Sequence, residues 1–249
     1  MRPTWPSIDV LPHGSPWRAP WGYVPSTAVV NVASVLAVLL MVLNVAGWRH
    51  AVAAEPLRLT VLGDSLTAGY GLPAADGFTV RLEARLRAGG RSVVVLNAGV
   101  SGDTSAAGLS RLGWALADKP HALIVELGAN DGLRGLDPAT TEQNLDAILI
   151  QARQNGLPVL LAGMVAPPNL GREYAAEFNG IYARLAKRHA VALYPFFLEG
   201  VALRPDLNQA DGIHPNRAGV DEVVRRILPH VERLLDRVRA AAKTRGQGA

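Results

Sequence analysis

Four short segments of this 249-residue chain hold side chains that could act together in acyl transfer. Ser65 stands in Gly63-Asp64-Ser65-Leu66-Thr67-Ala68-Gly69-Tyr70-Gly71. A serine hydroxyl is a poor nucleophile at neutral pH, so it needs a base, a group that orients the base, and donors for the oxyanion. Asp211-Gly212-Ile213-His214 supplies the first two. Its D-x-x-H spacing lets one turn set the Asp211 carboxylate against one imidazole nitrogen of His214, which fixes the tautomer and leaves the other nitrogen for the serine proton. Gly102, in the run Ala98 to Thr104, has no side chain, so its backbone N–H can come close to a substrate. Asn130, in Gly128 to Gly132, offers an amide NH2 as a second donor, and the N–H of Ser65 is a third.

Taken singly, each segment has a plainer reading. Gly63-Asp64-Ser65 also describes a turn with a helix cap, Gly128 to Gly132 a tight turn, and Asp211 to His214 surface polar residues or half a metal site. Asp64 reads as organising its loop, and Asp103 and Thr104 as capping the next helix. His13, His50, His121, His189 and His230 have no acid or second histidine at a useful spacing and read as exposed or structural. The four segments gain weight from where the surrounding elements put them.

The apolar run Leu57 to Leu62, with Arg58 and Thr60 alternating, predicts a strand that stops at Gly63. Phe78, Leu82 and Leu86 recur at helical spacing, and Gly89-Gly90 closes that helix. Further strands are expected at Ser92 to Leu96, Ala122 to Leu127 (apolar but for Glu126), Pro158 to Val165 and Ala192 to Phe197. A loop at Asn97 to Ser105 precedes a helix whose core face is Leu109, Leu112 and Leu116. Asp137-Pro138 starts a helix bearing Leu145, Ile148 and Leu149 that stops near Gly156. Tyr174, Phe178, Ile181 and Leu185 mark the next helix. Leu198 to Pro215 lacks periodicity and reads as a functional loop. The last helix is capped by Asn216, carries Val220, Val224, Ile227, Val231, Leu234 and Val238, and should bend at Pro229.

Short apolar runs alternating with helical patterns predict five βα units and a parallel sheet covered on both faces. In such sheets ligands bind beyond the carboxyl ends of the strands. Ser65 follows the first strand, Gly102 the second, Asn130 the third, and Asp211 with His214 the fifth, so all should face one crevice. This is the pattern of a serine hydrolase.

At these residues the chain resembles the SGNH, or GDSL, hydrolase family, and in particular its exported bacterial multifunctional esterases, through GDSLTAGYGLP, NAGVSGDTS, ELGANDGLRGLDP and DGIHPN. The match spans about Leu57 to Val238. The resemblance implies an α/β three-layer sandwich with a flavodoxin-like order of five parallel strands. It also implies Ser65 as nucleophile, Asp211 and His214 as the rest of a triad, and Ser65, Gly102 and Asn130 as oxyanion donors. The activity implied is hydrolysis of acyl esters and thioesters, of arylesterase, thioesterase and lysophospholipase type. The acyl groove of the family corresponds to Leu133 to Leu136 and Ala166 to Tyr174, with Leu133, Leu136, Pro167 and Leu170 as candidate wall residues. No cofactor and no metal are implied. The lipase elbow G-x-S-x-G is missing, since position 67 is threonine, which argues against the α/β-hydrolase fold despite the shared order Ser, Asp, His.

With 49% hydrophobic and 18% charged residues the composition is globular. Residues 1–54 form a leader and 55–249 the hydrolase domain. Residues 1–27, rich in proline and tryptophan, do not belong to the core. Ala28 to Gly47 is almost wholly apolar, unbroken from Val35 to Leu43, and Ala51-Val52-Ala53 supplies a small-residue cleavage site, so a cleaved signal peptide is expected. An uncleaved anchor, which needs about 20 apolar residues, is the alternative. The stretch before the apolar run is long for a signal peptide, and a start downstream of Met1 would account for it. Export to the periplasm or the medium follows, with membrane contact only through the leader if it is retained. Without cysteine the chain has no disulfide, no lipid anchor of the lipoprotein kind and no zinc–thiolate site. Losing Arg2, Arg18, Arg49 and Asp9 with the leader cuts the net charge from +4 to +2, too weak an excess to suggest a nucleic-acid partner.

The expected partners are therefore small acyl esters, thioesters or lysophospholipids. Leu133, Leu136, Pro167, Pro168 and Leu170 suggest an apolar cleft, against the polar one a carbohydrate O-deacetylase of the same family would need. An inactive hydrolase-like binding module is the reading from another class, opposed by the presence of every catalytic position.

Overall fold

The computed structural model describes residues 55–246; the expected leader and its cleavage site, residues 1–54, lie outside the described residues. Strand β1 (Leu57–Gly63) is an inner strand of the sheet, buried from Leu59 onward, because its leucines and valines are covered on both faces. A short helix, α1 (Ser65–Ala68), follows one residue later, and then α2 (Phe78–Ala88), which buries Phe78, Leu82 and Leu86 as expected. Strand β2 (Val93–Gly99) lies on one side of β1 and β3 (Ala122–Glu126) on the other. Beyond β3 come β4 (Val159–Ala162) and β5 (Ala192–Tyr194). All neighbours are parallel, in the order β2-β1-β3-β4-β5, the flavodoxin-like arrangement.

That order makes the chain reverse its direction of travel between β1 and β3, which opens a crevice at the carboxyl ends of these strands. The register brings three strand ends level there, with Gly63 opposite both Gly99 and Glu126. The two glycines are needed. A Cβ at Gly63 would run into the Thr67 and Glu126 side chains, and one at Gly99 into the backbone nitrogen of Ala68, so α1 can lie directly over the strand ends only because both positions are bare.

After β2 come α3 (Ser105–Ser110) and α4 (Leu112–Ala115); after β3, α5 (Ala129–Leu133) and α6 (Pro138–Gln154); after β4, α7 (Arg172–His189); and after β5, α8 (Arg217–Gly246). Helix α2 packs against α8, while α3, α6 and α7 pack together. Asp137 accepts from the Ala139 N–H and Pro138 takes the first helical position of α6, as expected. Asn216 Oδ1 accepts from the Gly219 N–H at the start of α8, and the helix continues through Pro229.

The structure corrects several boundaries. β2 continues past Leu96 to Gly99, extending the ladder that the Val100 N–H closes on the Gly63 carbonyl at 3.1 Å. β5 ends at Tyr194, well short of Phe197, because after the Gly163 N–H donates to the Tyr194 carbonyl the Gly163 carbonyl takes the N–H of Phe197, one residue late for a parallel ladder, and β4 ends at Ala162 beside it. The single helix expected through Leu109, Leu112 and Leu116 is two, broken at Arg111, whose guanidinium is drawn back to the carbonyls of Ala98 and Gly63 at 2.8 Å each. Among the described residues no helix is long and apolar enough to cross a membrane.

Candidate active site

Ser65 is the first residue of α1, immediately beyond β1. Asp64 caps this helix, its Oδ1 accepting from the Leu66 N–H at 3.0 Å, and Gly69 at φ +82° ends it after one turn. The cap has a second consequence. Asp64 is fully buried, and burial pushes its carboxyl up to about 6 against the bond from Leu66 and the influence of His214 and Asn130.

The long loop between β5 and α8 carries Asp211 and His214 to Ser65. His214 Nε2 lies 2.9 Å from Ser65 Oγ, and His214 Nδ1 lies 2.7 Å from Asp211 Oδ2. The other Asp211 oxygen accepts the backbone N–H groups of Ile213 and His214, each at 3.0 Å. These bonds, that from the His214 backbone first, hold the Asp211 carboxyl down at about 2. It is therefore ionised at any working pH and keeps the imidazole proton on Nδ1, so the lone pair of Nε2 faces the serine hydroxyl. The Tyr70 ring, 4.6 Å from the imidazole and tilted by 37°, covers one side of it.

Gly102 has φ +86°, a conformation that favours glycine, and its carbonyl accepts from Arg134 Nη2 at 2.8 Å. The N–H groups of Ser65 and Gly102 have no acceptor among the described residues. Asn130, on α5, donates from Nδ2 to Asp64 Oδ2 at 3.2 Å and to the Asp103 carbonyl at 2.9 Å. Its amide thus sits between the loop that bears Ser65 and the loop that bears Gly102. Asp103 does not cap α3. Thr104 alone does so, and Asp103 instead binds Arg111, the residue that also grips the ends of β1 and β2.

Behind α1 lies Glu126, fully buried, taking bonds from Thr67 Oγ1 at 2.6 Å and from the Asp64 N–H at 3.4 Å. Burial and then the Asp64 charge push its carboxyl well above the ordinary range. The single charged residue in the otherwise apolar β3 run was the visible signal for it. Nothing comparable pointed to Gln209, which binds Tyr70, His214 and Pro215, or to Arg111.

Of the expected groove residues, Leu133 and Leu136 are exposed, while Pro167 and Leu170 are partly buried. The helix that carries Asn130 ends at Leu133. The Pro167 ring lies beside Gly132 and the Leu170 side chain beside Gly135, so the loops after β3 and β4 form one apolar wall. Tyr174 Oη ties that wall together by donating to the Leu136 carbonyl at 2.8 Å.

The remaining described histidines stay out of the site. His121 accepts from the Arg58 N–H and His230 packs on Tyr194. His189 does find an acid, Asp146 at 2.8 Å, but at the end of α7, just before β5 and so at the amino ends of the strands, opposite to the crevice. Among the described residues no cluster of acids and histidines could hold a metal ion.

Residues 61–221 match the model of the GDSL-like lipase/acylhydrolase family. Esterase TesA of Pseudomonas aeruginosa is 44% identical over 178 residues, 71% of this chain and 89% of the relative. The Thioesterase 1/protease 1/lysophospholipase L1 of Escherichia coli is 45% identical over 166 residues, covering 66% and 78%. Among solved structures, the psychrotrophic esterase EstA from Pseudoalteromonas sp. superposes with a TM-score of 0.69 at 30% identity, over 72% of this chain and 98% of that one.

Proposed function

The chain belongs to the GDSL-like lipase/acylhydrolase family and hydrolyses carboxylic esters, and on that premise we propose that it does so through an acyl-enzyme on Ser65. The observation that carries this reading is the unbroken line Asp211–His214–Ser65, at 2.7 and 2.9 Å.

Ser65 Oγ attacks the ester carbonyl carbon while His214 Nε2 takes its proton, and the imidazolium that forms is stabilised by Asp211. The carbonyl oxygen becomes an oxyanion held by the two backbone N–H groups, those of Ser65 and Gly102, and by Asn130, whose amide is tied to Asp64 and to the Asp103 carbonyl, their chain neighbours, and gives up one of these acceptors for it. Collapse of the tetrahedral intermediate expels the alcohol or thiol, which takes the proton from His214. Water, activated by the same imidazole, then attacks the acyl-enzyme and releases the carboxylic acid.

The substrates are small acyl esters, thioesters and lysophospholipids, with the acyl chain against Leu133, Leu136, Pro167 and Leu170. The exposure of Leu133 and Leu136 supports an apolar occupant, since water is a poor neighbour for both. The apolar run and small-residue site of the leader support export, where lysophospholipids and other acyl esters are the substrates at hand. A chain-length series of p-nitrophenyl esters with residues 55–249 tests the reading. Activity reaching beyond short chains supports the lipid esterase, activity on acetate alone would favour a deacetylase, and no activity would favour a binding module.

A further inference from the structure

We infer that Gln209 is a positioning residue that sets the approach of His214 to Ser65, a reading that rests on the roles given to those two residues above. Gln209 belongs to the aperiodic loop between β5 and α8, and through backbone carbonyls it reaches His214 directly and Ser65 by way of Tyr70. Its Nε2 donates to the Tyr70 carbonyl at 2.8 Å and to the Pro215 carbonyl at 3.0 Å, and its backbone N–H donates to the His214 carbonyl at 2.7 Å. Tyr70 is in turn fastened to the nucleophile, since its own N–H donates to the Ser65 carbonyl at 3.1 Å.

These bonds close a ring. It runs from Ser65 through Tyr70 and Gln209 to His214 and returns across the 2.9 Å contact between His214 Nε2 and Ser65 Oγ. The ring joins segments 139 residues apart in the chain. Asp211 cannot do this, because it lies three residues from His214 on the same loop; it orients the imidazole but leaves the whole loop free to move relative to α1. Gly71 makes the space. At φ +74° it accommodates the bend, and a Cβ there would collide with Gln209 Oε1. One primary amide therefore has both of its hydrogens committed, one to each of the two loops whose separation decides whether the proton can pass. Gln209 is only partly buried and lies outside the core, so loss of these bonds falls on geometry more than on folding.

Two variants test this. Gln209→Met keeps the length and removes both donors, and Gln209→Glu keeps the shape but sets a carboxylate against two carbonyl oxygens. Each is assayed on a p-nitrophenyl ester, with rates taken per serine titrated, alongside its melting temperature and the second-order rate at which a phosphonate ester captures Ser65. Displacing reacting groups by 1 Å costs up to about 10²-fold, so kcat should fall by about 10-fold or more while KM stays within about three-fold, with phosphonate capture slowed in step. If the glutamate variant does not fold, the uncharged methionine variant decides alone. Wild-type kcat in the folded variants, whatever their melting temperature, would reduce Gln209 to a staple of its loop. Ser65→Ala and His214→Ala on the same ester separate the two claims: if both are inactive while the Gln209 variants are not, only the Gln209 assignment falls, and if either keeps the wild-type rate, the underlying mechanism falls.

Discussion

The side-chain nitrogen of Asn130 lies 3.2 Å from the buried Asp64 carboxylate, the residue next to Ser65, and its second hydrogen goes to the Asp103 carbonyl at 2.9 Å. To serve an oxyanion, Asn130 must trade one of these acceptors for it, and the longer bond to Asp64 is the one more readily given up. The amide is thus held in aim by the same two loops that supply the backbone donors.

Asn130→Ala should therefore cost about 10² to 10³ in kcat with KM nearly unchanged, the usual loss for one oxyanion donor. Asn130→Asp should be at least as damaging, because a carboxylate would repel the oxyanion and face Asp64. Steady-state kinetics and a thermal melt on the same Asn130→Ala sample check this. A destabilised variant with full activity would place Asn130 in the loop's architecture alone.

Asp211→Asn should lower kcat far more than it raises KM, by about 10² or more, because an amide leaves the imidazole free to take the wrong tautomer while the apolar wall is untouched. Comparing kcat and KM for the variant and wild type on one ester decides it.

The buried carboxyl of Asp64 gives a stability signature with a definite sign. The unfolded chain releases this proton near 3.8, while the folded protein keeps it to about 6. Between those values the native state binds the extra proton, so the Asp64 contribution to stability falls as pH rises from about 4 to about 6 and is level above that. Asp211, held down at about 2, has the opposite sign: its contribution is present above about 4 and is lost as pH falls towards 2. Asp64→Asn should thus gain melting temperature relative to wild type as pH is raised from 4 to 6. Melts of both proteins across that range would show a constant difference if Asp64 were an ordinary surface acid.

Export through the leader is expected to remove residues 1 to about 54, given the apolar run Val35 to Leu43 followed by Ala51-Val52-Ala53. N-terminal sequencing of the exported protein should find a start near Ala54 or Glu55. A mature start upstream of Ala28 would contradict it.

Ser65, Gly102 and Asn130 could be singled out because each follows an apolar run that gives way to small or polar residues, and Asp211 and His214 through their D-x-x-H spacing; the structure brings Ser65, His214 and Asp211 into one hydrogen-bonded line. The parallel sheet was legible too, since periodicity is a local signal. Boundaries that depend on distant partners were not. β2 runs on to Gly99 because the Gly63 carbonyl receives Val100, and the helix around Leu112 breaks because Arg111 reaches 48 residues back to Gly63. Gln209 was hidden for a similar reason: its partners include a carbonyl 139 residues away, and no spacing within its own loop announces that.

The most direct test of the mechanism is to treat the protein with a p-nitrophenyl phosphonate ester, map the adduct by mass spectrometry, and assay Ser65→Ala in parallel. A single adduct on Ser65, formed in proportion to lost activity, with the alanine variant neither labelled nor active to within about 10⁴-fold or more of wild type, is the expected result. An adduct on any other residue, or esterase activity that survives Ser65→Ala, would contradict the acyl-enzyme on Ser65.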